Sequence, residues 1–258
     1  GNFTGIRIMG VFQNNLLAGA AAAASAGGAA FYDYQIEQSV RLDRASSSYF
    51  SYAVPSGSSS SANWTVSLWF KRGQLGIGEA TFLGNNGGWM RVRINSDDTF
   101  QAQTQTSFLS SFVLRDTGGW TNIVMNSQDT NNFKVYVNGA DRTSDLTKSS
   151  VASMITFFYP STTAYLGNDS GSNHEFDGYL AEVHMVYGLN KDADDFGETK
   201  NGVWVPKEYT GGHGTYGAYL KFENASDLGN DSSGNNNDWT VNNMGADHQV
   251  LDSPTFGS

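Results

Sequence analysis

The stretch "NHEFDGYLAEVHMVYG" (173–188) sets three carboxylates, Glu175, Asp177 and Glu182, at the head of an apolar run. Two carboxyl groups flanking one bond are the machinery of glycoside hydrolysis, so it matters whether these acids share a face. Side chains of a strand alternate with period two, which puts Glu175 and Asp177 together. Glu182 follows Asp177 by five residues, an odd spacing that assigns it to the opposite face of a regular strand. The spacing predicts two acids that cap a turn and a Glu182 on the solvated face. This is the pattern of a strand without a hydrolase site, and it predicts that the chain is not an enzyme.

Other catalytic groupings are missing from the sequence. The four histidines, His174, His184, His213 and His248, form no His-x-x-x-His or His-Glu-x-x-His pair for zinc. No Gly-x-Ser-x-Gly elbow and no Gly-Lys-Ser/Thr phosphate loop occurs. "GGHGTYG" (211–217) follows "VPKEYT" with no helix behind it to offer amides to phosphate, and its glycines predict a flexible connection.

Binding chemistry is better represented. Calcium takes clustered oxygens from Asp, Asn and backbone carbonyls. "GNDSGSNHEFD" (167–177) and "GNDSSGNNND" (229–238) supply them, through Asn168, Asp169 and Asp177 in the first and Asp231 and Asp238 in the second. Asx-rich turns have the same composition without a metal, since Asn and Asp bond their own backbone there. A sugar site needs an exposed aromatic beside amides that bond hydroxyls. "GNNGGWMR" (84–91) offers Asn85, Asn86 and Trp89. The competing reading has Trp89 begin a strand and pack inward.

These residues are positioned by short strands. "YFSYAV", "NWTVSLWFK", "WMRVRI", "TFQAQT", "WTNIVMNS", "NFKVYVNG", "TAYLGN", "GYLAEVHMVYG", "GAYLKFEN" and "NDWTVNN" alternate with period two, as does "FYDYQIEQSVRL". Turn clusters such as "PSGSSSSAN", "NSDD" and "VNGAD" separate them. In "NWTVSLWFK", Trp64, Val66, Leu68 and Phe70 face one way, and Thr65, Ser67, Trp69 and Lys71 the other. Trp64, Leu68, Trp120, Val135, Tyr136 and Leu180 are the expected core. "NKDADDFG" (190–197), with Asn190 as N-cap, is the one helical candidate. Such a pattern indicates an all-β sandwich or barrel.

Composition agrees. The chain has 258 residues, 30 of them Gly, and aromatics at 13% fall within the alternating segments. A net charge of −10 with no basic run argues against nucleic acid or an anionic membrane as partner. With no cysteine there is no disulfide framework and no thiolate nucleophile.

The order of "WTVSLWFKR" (64–72), "GGWTNIVMNSQDTNNFKVYVNGA" (118–140), "AYLGND" (164–169) and "FDGYLAEVHMVYGLN" (176–190) resembles the laminin G-like and pentraxin-like members of the concanavalin A-type lectin/glucanase superfamily. The resemblance spans roughly residues 40–196. It implies two curved antiparallel sheets stacked as a jelly-roll sandwich, and it makes calcium at a sheet rim a candidate cofactor. Glucanases of this fold carry Glu-x-Asp-x-Glu or Glu-x-Asp-x-x-Glu. Here Tyr179 and Leu180 stand where the third acid would fall.

"FGETKNGVWVPKEYTG" (196–211), "YLKFEN" (219–224), "DSSGNNNDWTVNN" (231–243) and "DSPT" (252–255) are similar to the tail of structural proteins from tailed phages and environmental viruses. The opening "NNLLAGA" and "FYDYQIEQSVRLD" resembles the start of the same proteins. The resemblance implies a virion surface fibre, spike or decoration protein that presents a lectin-like sandwich for host or glycan attachment. A secreted carbohydrate-binding module is the alternative, favoured by Arg7 ahead of the Ala-rich run and the cleavage-like "ASA" (24–26).

The expected organisation is an N-terminal attachment arm, 1–30, and a sandwich, 31–258, that includes a C-terminal extension, 197–258. From Ala18 to Ala30 the arm contains only Ala, Gly and Ser. It is too short for the ~20 apolar residues of a membrane span. Small side chains allow close backbone approach, so Leu16, Leu17, Ala20 and Ala24 are expected to meet other virion proteins or copies of this chain, as in a trimer.

Overall fold

The computed structural model describes residues 31–58, 63–86, 90–103, 106–128, 132–149, 158–170 and 174–255. The arm residues Leu16, Leu17, Ala20 and Ala24, and Trp89, lie outside them. Among the described residues no helix is long and apolar enough to cross a membrane.

The alternating segments form strands. In chain order they are β1 (Ser39–Leu42), β2 (Tyr49–Ala53), β3 (Trp64–Arg72), β4 (Ala80–Asn85), β5 (Arg91–Ile94) and β6 (Thr99–Gln103). Next come β7 (Ser107–Val113), β8 (Thr121–Ser127), β9 (Phe133–Val137), β10 (Ala140–Asp141), β11 (Leu146–Lys148) and β12 (Thr163–Leu166). The rest are β13 (Gly178–Tyr187), β14 (Gly197–Lys200), β15 (Val203–Pro206), β16 (Ala218–Leu220), β17 (Thr240–Asn242) and β18 (Gln249–Val250). One sheet runs β10-β9-β8-β3-β13-β1-β18, with β16 also on β13, and the other runs β11-β7-β6-β5-β4-β12-β2-β17. The strand pairs are antiparallel, and the two sheets make the expected all-β, two-sheet antiparallel jelly-roll sandwich.

Trp64, Val66, Leu68 and Phe70 of β3 point into the space between the sheets, as period two requires. Facing rings fill it: Phe70 and Phe82 lie 4.8 Å apart, and Phe82 and Phe176 5.1 Å. Of the expected core, Trp64, Leu68, Val135 and Leu180 belong here. Tyr136 and Trp120 do not. Tyr136 is buried on the outer face with Val124, Val186 and Phe196, and Trp120 is half-buried against Ile36 and Trp69.

That outer layer changes what β3 is. Thr65, Ser67 and Trp69, which alternation sets on the opposite face, are all buried, as is every residue of β8. The cover comes from the hairpin β14–β15 and the segments near Tyr34 and Tyr209. Trp204 of β15 donates its indole N–H to Asn122 Oδ1 at 3.1 Å. Its ring lies where a Cβ on Gly139 (φ +76°) would approach to 2.3 Å, so that turn needs glycine for conformation and for space.

Two local expectations are corrected. The helix over 190–197 is one 3-10 turn, Ala193–Asp195, preceded by Asp192 rather than capped by Asn190. Asp192 is held in place by Tyr136, whose hydroxyl donates to Asp192 Oδ1 at 2.7 Å. The glycine-rich connection 211–217 is anchored: His213 is buried and its carbonyl accepts from the Tyr187 N–H at 2.8 Å.

Candidate functional site

The two stretches singled out for binding meet on the outer face of the second sheet. Register aligns Gln103 of β6, Arg91 of β5, Gly84 of β4, Tyr165 of β12 and Ser51 of β2 in one row across it. Alternate residues of these strands are half-buried and point outward, because the others fill the core. Gly84 leaves a gap in the row. The loop after β12 enters that gap, and a Cβ on Gly84 would lie 2.5 Å from Asp169 Cα.

Asp169 is buried at 1% side-chain exposure and faces the Arg91 guanidinium and the His174 imidazole. Its Oδ2 lies 2.8 Å from His174 Nδ1 and 3.3 Å from Arg91 Nε. His174 Nε2 lies 3.3 Å from Glu79 Oε2, which also receives a hydrogen bond from Arg93 Nη1 at 2.5 Å. About a third of the His174 and Arg91 side chains remains open to solvent. Tyr165 and Tyr49 meet edge to face nearby, with centroids 5.8 Å apart. The face thus presents a guanidinium, an imidazole and an amide beside phenol rings, with the guanidinium and imidazole oriented by Asp169. Such groups bond hydroxyls and stack on the apolar side of a sugar ring.

The predicted residues divide between roles. Asn86 is exposed at this rim, and its Oδ1 accepts from the Thr163 N–H at 3.0 Å. Asn85 is fully buried, so no sugar hydroxyl reaches it. Asn168 Oδ1 accepts from the Asp169 and Ser170 N–H groups, which closes the loop as an Asx turn. Asp177 lies elsewhere, against Gly73 after β3, and accepts from Arg41 Nη2 at 3.1 Å. Asn168, Asp169 and Asp177 are therefore not gathered at one point: the first two lie over Gly84 and the third against Gly73 and Arg41. Both oxygens of Asp231 accept protein hydrogen bonds, from Tyr219 N at 2.8 Å and Asn237 N at 2.9 Å among others. Among the described residues no group of three or more His, Asp or Glu is placed to hold a metal ion.

Glu182 departs from its expected place. The pairing of β13 with β3 shifts between Ala181 and His184, and Glu182 has φ +51°. This β-bulge turns both Ala181 and Glu182 outward, so Glu182 shares the face of Asp177 in spite of the odd spacing. It is not solvated. At 5% exposure it lies under the outer layer, with Tyr34 Oη donating to its Oε1 at 2.6 Å, Tyr219 Oη also donating, and His184 Nε2 3.4 Å away. Burial alone would raise this carboxyl, but His184, Tyr219 and Tyr34 more than offset it and hold it below the usual carboxylate range. Burial pushes the phenols of Tyr219 and Tyr34 up, and the Glu182 charge adds to that. His184 Nδ1 meets His213 Nε2 at 3.1 Å, and burial, then His184, push His213 down to about 4.

The shared face does not bring these two acids together. Four strand steps between Asp177 and Glu182 amount to about 13 Å. Glycosidase carboxyl pairs stand roughly 5–9.5 Å apart.

Sequence reasoning missed Arg91, His174, Tyr165 and the Glu182 cluster. Alternation in "WMRVRI" and "TAYLGN" carried an outward signal for Arg91 and Tyr165. Nothing local marks the bulge.

A family model described as the concanavalin A-like lectin/glucanases superfamily matches residues 45–190. No curated protein matches the chain. Among solved structures, a candidate carbohydrate-binding protein from Bacteroides ovatus is similar at 15% identity with a TM-score of 0.55. The match covers 81% of this chain and 59% of that one, so the chain spans less than two thirds of that relative. Domain 4 of an extracellular arabinanase from Geobacillus stearothermophilus, solved with arabinotriose, matches at 21% identity over 60% of this chain and 72% of that one (TM-score 0.44). A heptameric pentraxin from Limulus polyphemus matches at 12% identity over 61% and 80% (TM-score 0.44). At such identities the likeness concerns the fold.

Proposed function

We propose that this chain, which belongs to the concanavalin A-like lectin/glucanases superfamily, is a non-enzymatic carbohydrate-recognition protein of a virion surface. The observation that carries the carbohydrate reading is the outward row of Gln103, Arg91 and Tyr165, with His174 and Asp169 set over Gly84. Contacts to Asp169 fix Arg91 and His174 in advance, so little side-chain entropy is lost there when a glycan docks. The virion part is supported by the likeness of the opening and of the tail, 196–255, to viral structural proteins.

The non-enzymatic part is supported by the fate of the three acids. Glu182 is covered and hydrogen-bonded, Asp177 is paired with Arg41, and Glu175 is buried at 5% exposure. No pair of them flanks an open cleft.

Retention of the full chain on a printed glycan array tests the reading. Binding to a defined set of glycans, weakened about tenfold or more by Arg91→Ala, is the expected result. An array with no retained glycan, or retention indifferent to Arg91→Ala and His174→Ala alike, overturns it.

A further inference from the structure

The outer layer over the first sheet contains a cleft of about 280 Å³ walled by Tyr34, Tyr209, His213 and Tyr219. Its wall residues lie outside residues 45–190, the span of the family match. From within that span, Glu182 and His184 support the cleft from below. We propose that this cleft is a second binding site, distinct from the rim, that takes a single neutral pyranose unit. The choice of a sugar rests on the carbohydrate reading above, whereas the site itself rests on the chemistry of its walls.

The hydrogen-bond inventory is what singles it out. Glu182 Oε1, Tyr34 Oη and Tyr219 Oη lie in mutual contact, with the two phenols 2.8 Å apart. Two phenol protons serve three oxygens around a carboxylate. Each phenol oxygen has two lone pairs, so acceptor capacity is left over on the tyrosines. A ligand rich in hydroxyl donors satisfies it. Ser233 and Thr210 at the mouth add hydroxyls of their own, and the half-buried ring of Tyr34 offers surface for the apolar face of a sugar.

Other ligand classes fit less well. Anions face the buried Glu182 charge and Glu208, while Lys221 is already 3.4 Å from Glu223. A transition metal would need two imidazole lone pairs aimed at one point ~2.0–2.1 Å from each nitrogen. His184 and His213 instead meet head-on, rings 17° from coplanar with centroids 5.4 Å apart, as an N–H···N hydrogen bond requires. The size also decides: sites for drug-sized ligands run ~300–1,000 Å³, and this one suits one ring rather than an oligomer.

The test is a titration of the isotopically labelled full chain with methyl glycosides of glucose, galactose, mannose and N-acetylglucosamine, followed by nuclear magnetic resonance. At least one glycoside is expected to shift backbone amides of 208–221 and 232–233, and Thr210→Trp and Ser232→Trp, both at exposed positions, each to weaken that response at least about tenfold. An unchanged thermal melt in either variant shows that the fold was kept, so a lost response there reports on the cleft. No shift with any glycoside, or shifts that persist in both variants, overturns the proposal. Shifts confined to 84–103 and 163–174 also overturn it, while leaving the rim reading intact.

Discussion

Tyr34 Oη donates to Glu182 Oε1 across 148 residues of sequence at 2.6 Å. One carboxylate thereby fastens the segment before β1 and, through Tyr219, β16 to the bulge of β13. Glu182→Leu should strip this anchor and leave the half-buried phenol of Tyr34 and the buried one of Tyr219 without their carboxylate acceptor. Hydrogen bonds to a charged group are worth about 1.5–3 kcal/mol. The urea midpoint is expected to fall accordingly, and a loss below about 0.5 kcal/mol would show that Glu182 is a bystander.

His213 links the same cluster to acid. Its folded value is depressed to about 4, below the ordinary value of 6.5, because burial opposes its charge. Between these values the unfolded chain binds more protons than the folded one, so stability rises with pH there. The contribution is complete above pH 6.5 and is lost as pH falls toward 4. Glu182, also depressed, adds to the loss at lower pH. Melting temperatures from pH 8 to 4 should decline most steeply below 6.5, and His213→Asn should flatten that limb. An equally steep decline in the variant would assign it to other groups.

Gly84→Val tests how the rim is assembled. A Cβ there would sit 2.5 Å from Asp169 Cα and 2.9 Å from the Asn168 carbonyl, both backbone. The loop has to move, and Asp169 with it, so glycan retention should fall at least as far as in Arg91→Ala. A crystal structure of the variant with loop 167–170 in place would contradict the assignment.

Purified protein should release no reducing sugar from β-glucan, with or without calcium. Hydrolysis that disappears in Glu175→Gln would overturn the non-enzymatic reading.

Removal of residues 1–30 should leave the far-ultraviolet β signature unchanged and abolish assembly into an oligomer. Light scattering reads the outcome. An oligomer of unchanged mass in the truncated chain would place the self-association surface on the sandwich.

Period two made most strands legible, and β3 illustrates both the reach and the limit of that signal. Its inward set, Trp64, Val66, Leu68 and Phe70, follows from alternation alone. That Trp69 is covered too depends on Trp204 and Ile36, and that Thr65 is covered depends on Leu189 and Lys191, all remote in sequence. Glu182 failed for a sharper reason. Parity holds only for a regular strand, and a single extra residue at 181–182 reverses it. Asn85 looked like a binding amide because its composition matched a rim loop, whereas β4 continues through it. The rim itself was half visible: the two Asx-rich stretches were recognised separately, and only the β4–β12 pairing joins them.

Pairing of β18 with β1 and of β17 with β2 has a consequence during synthesis. A ribosome delivers β1 and β2 about 200 residues before the strands that cover their outer edges. Until then each sheet displays a row of open N–H and C=O groups, a template for wrong pairing with a neighbouring nascent chain. The native sandwich is therefore completed only after residues 240–250 have emerged. Crowded translation, as on a heavily loaded messenger, is where this fold is most exposed to aggregation.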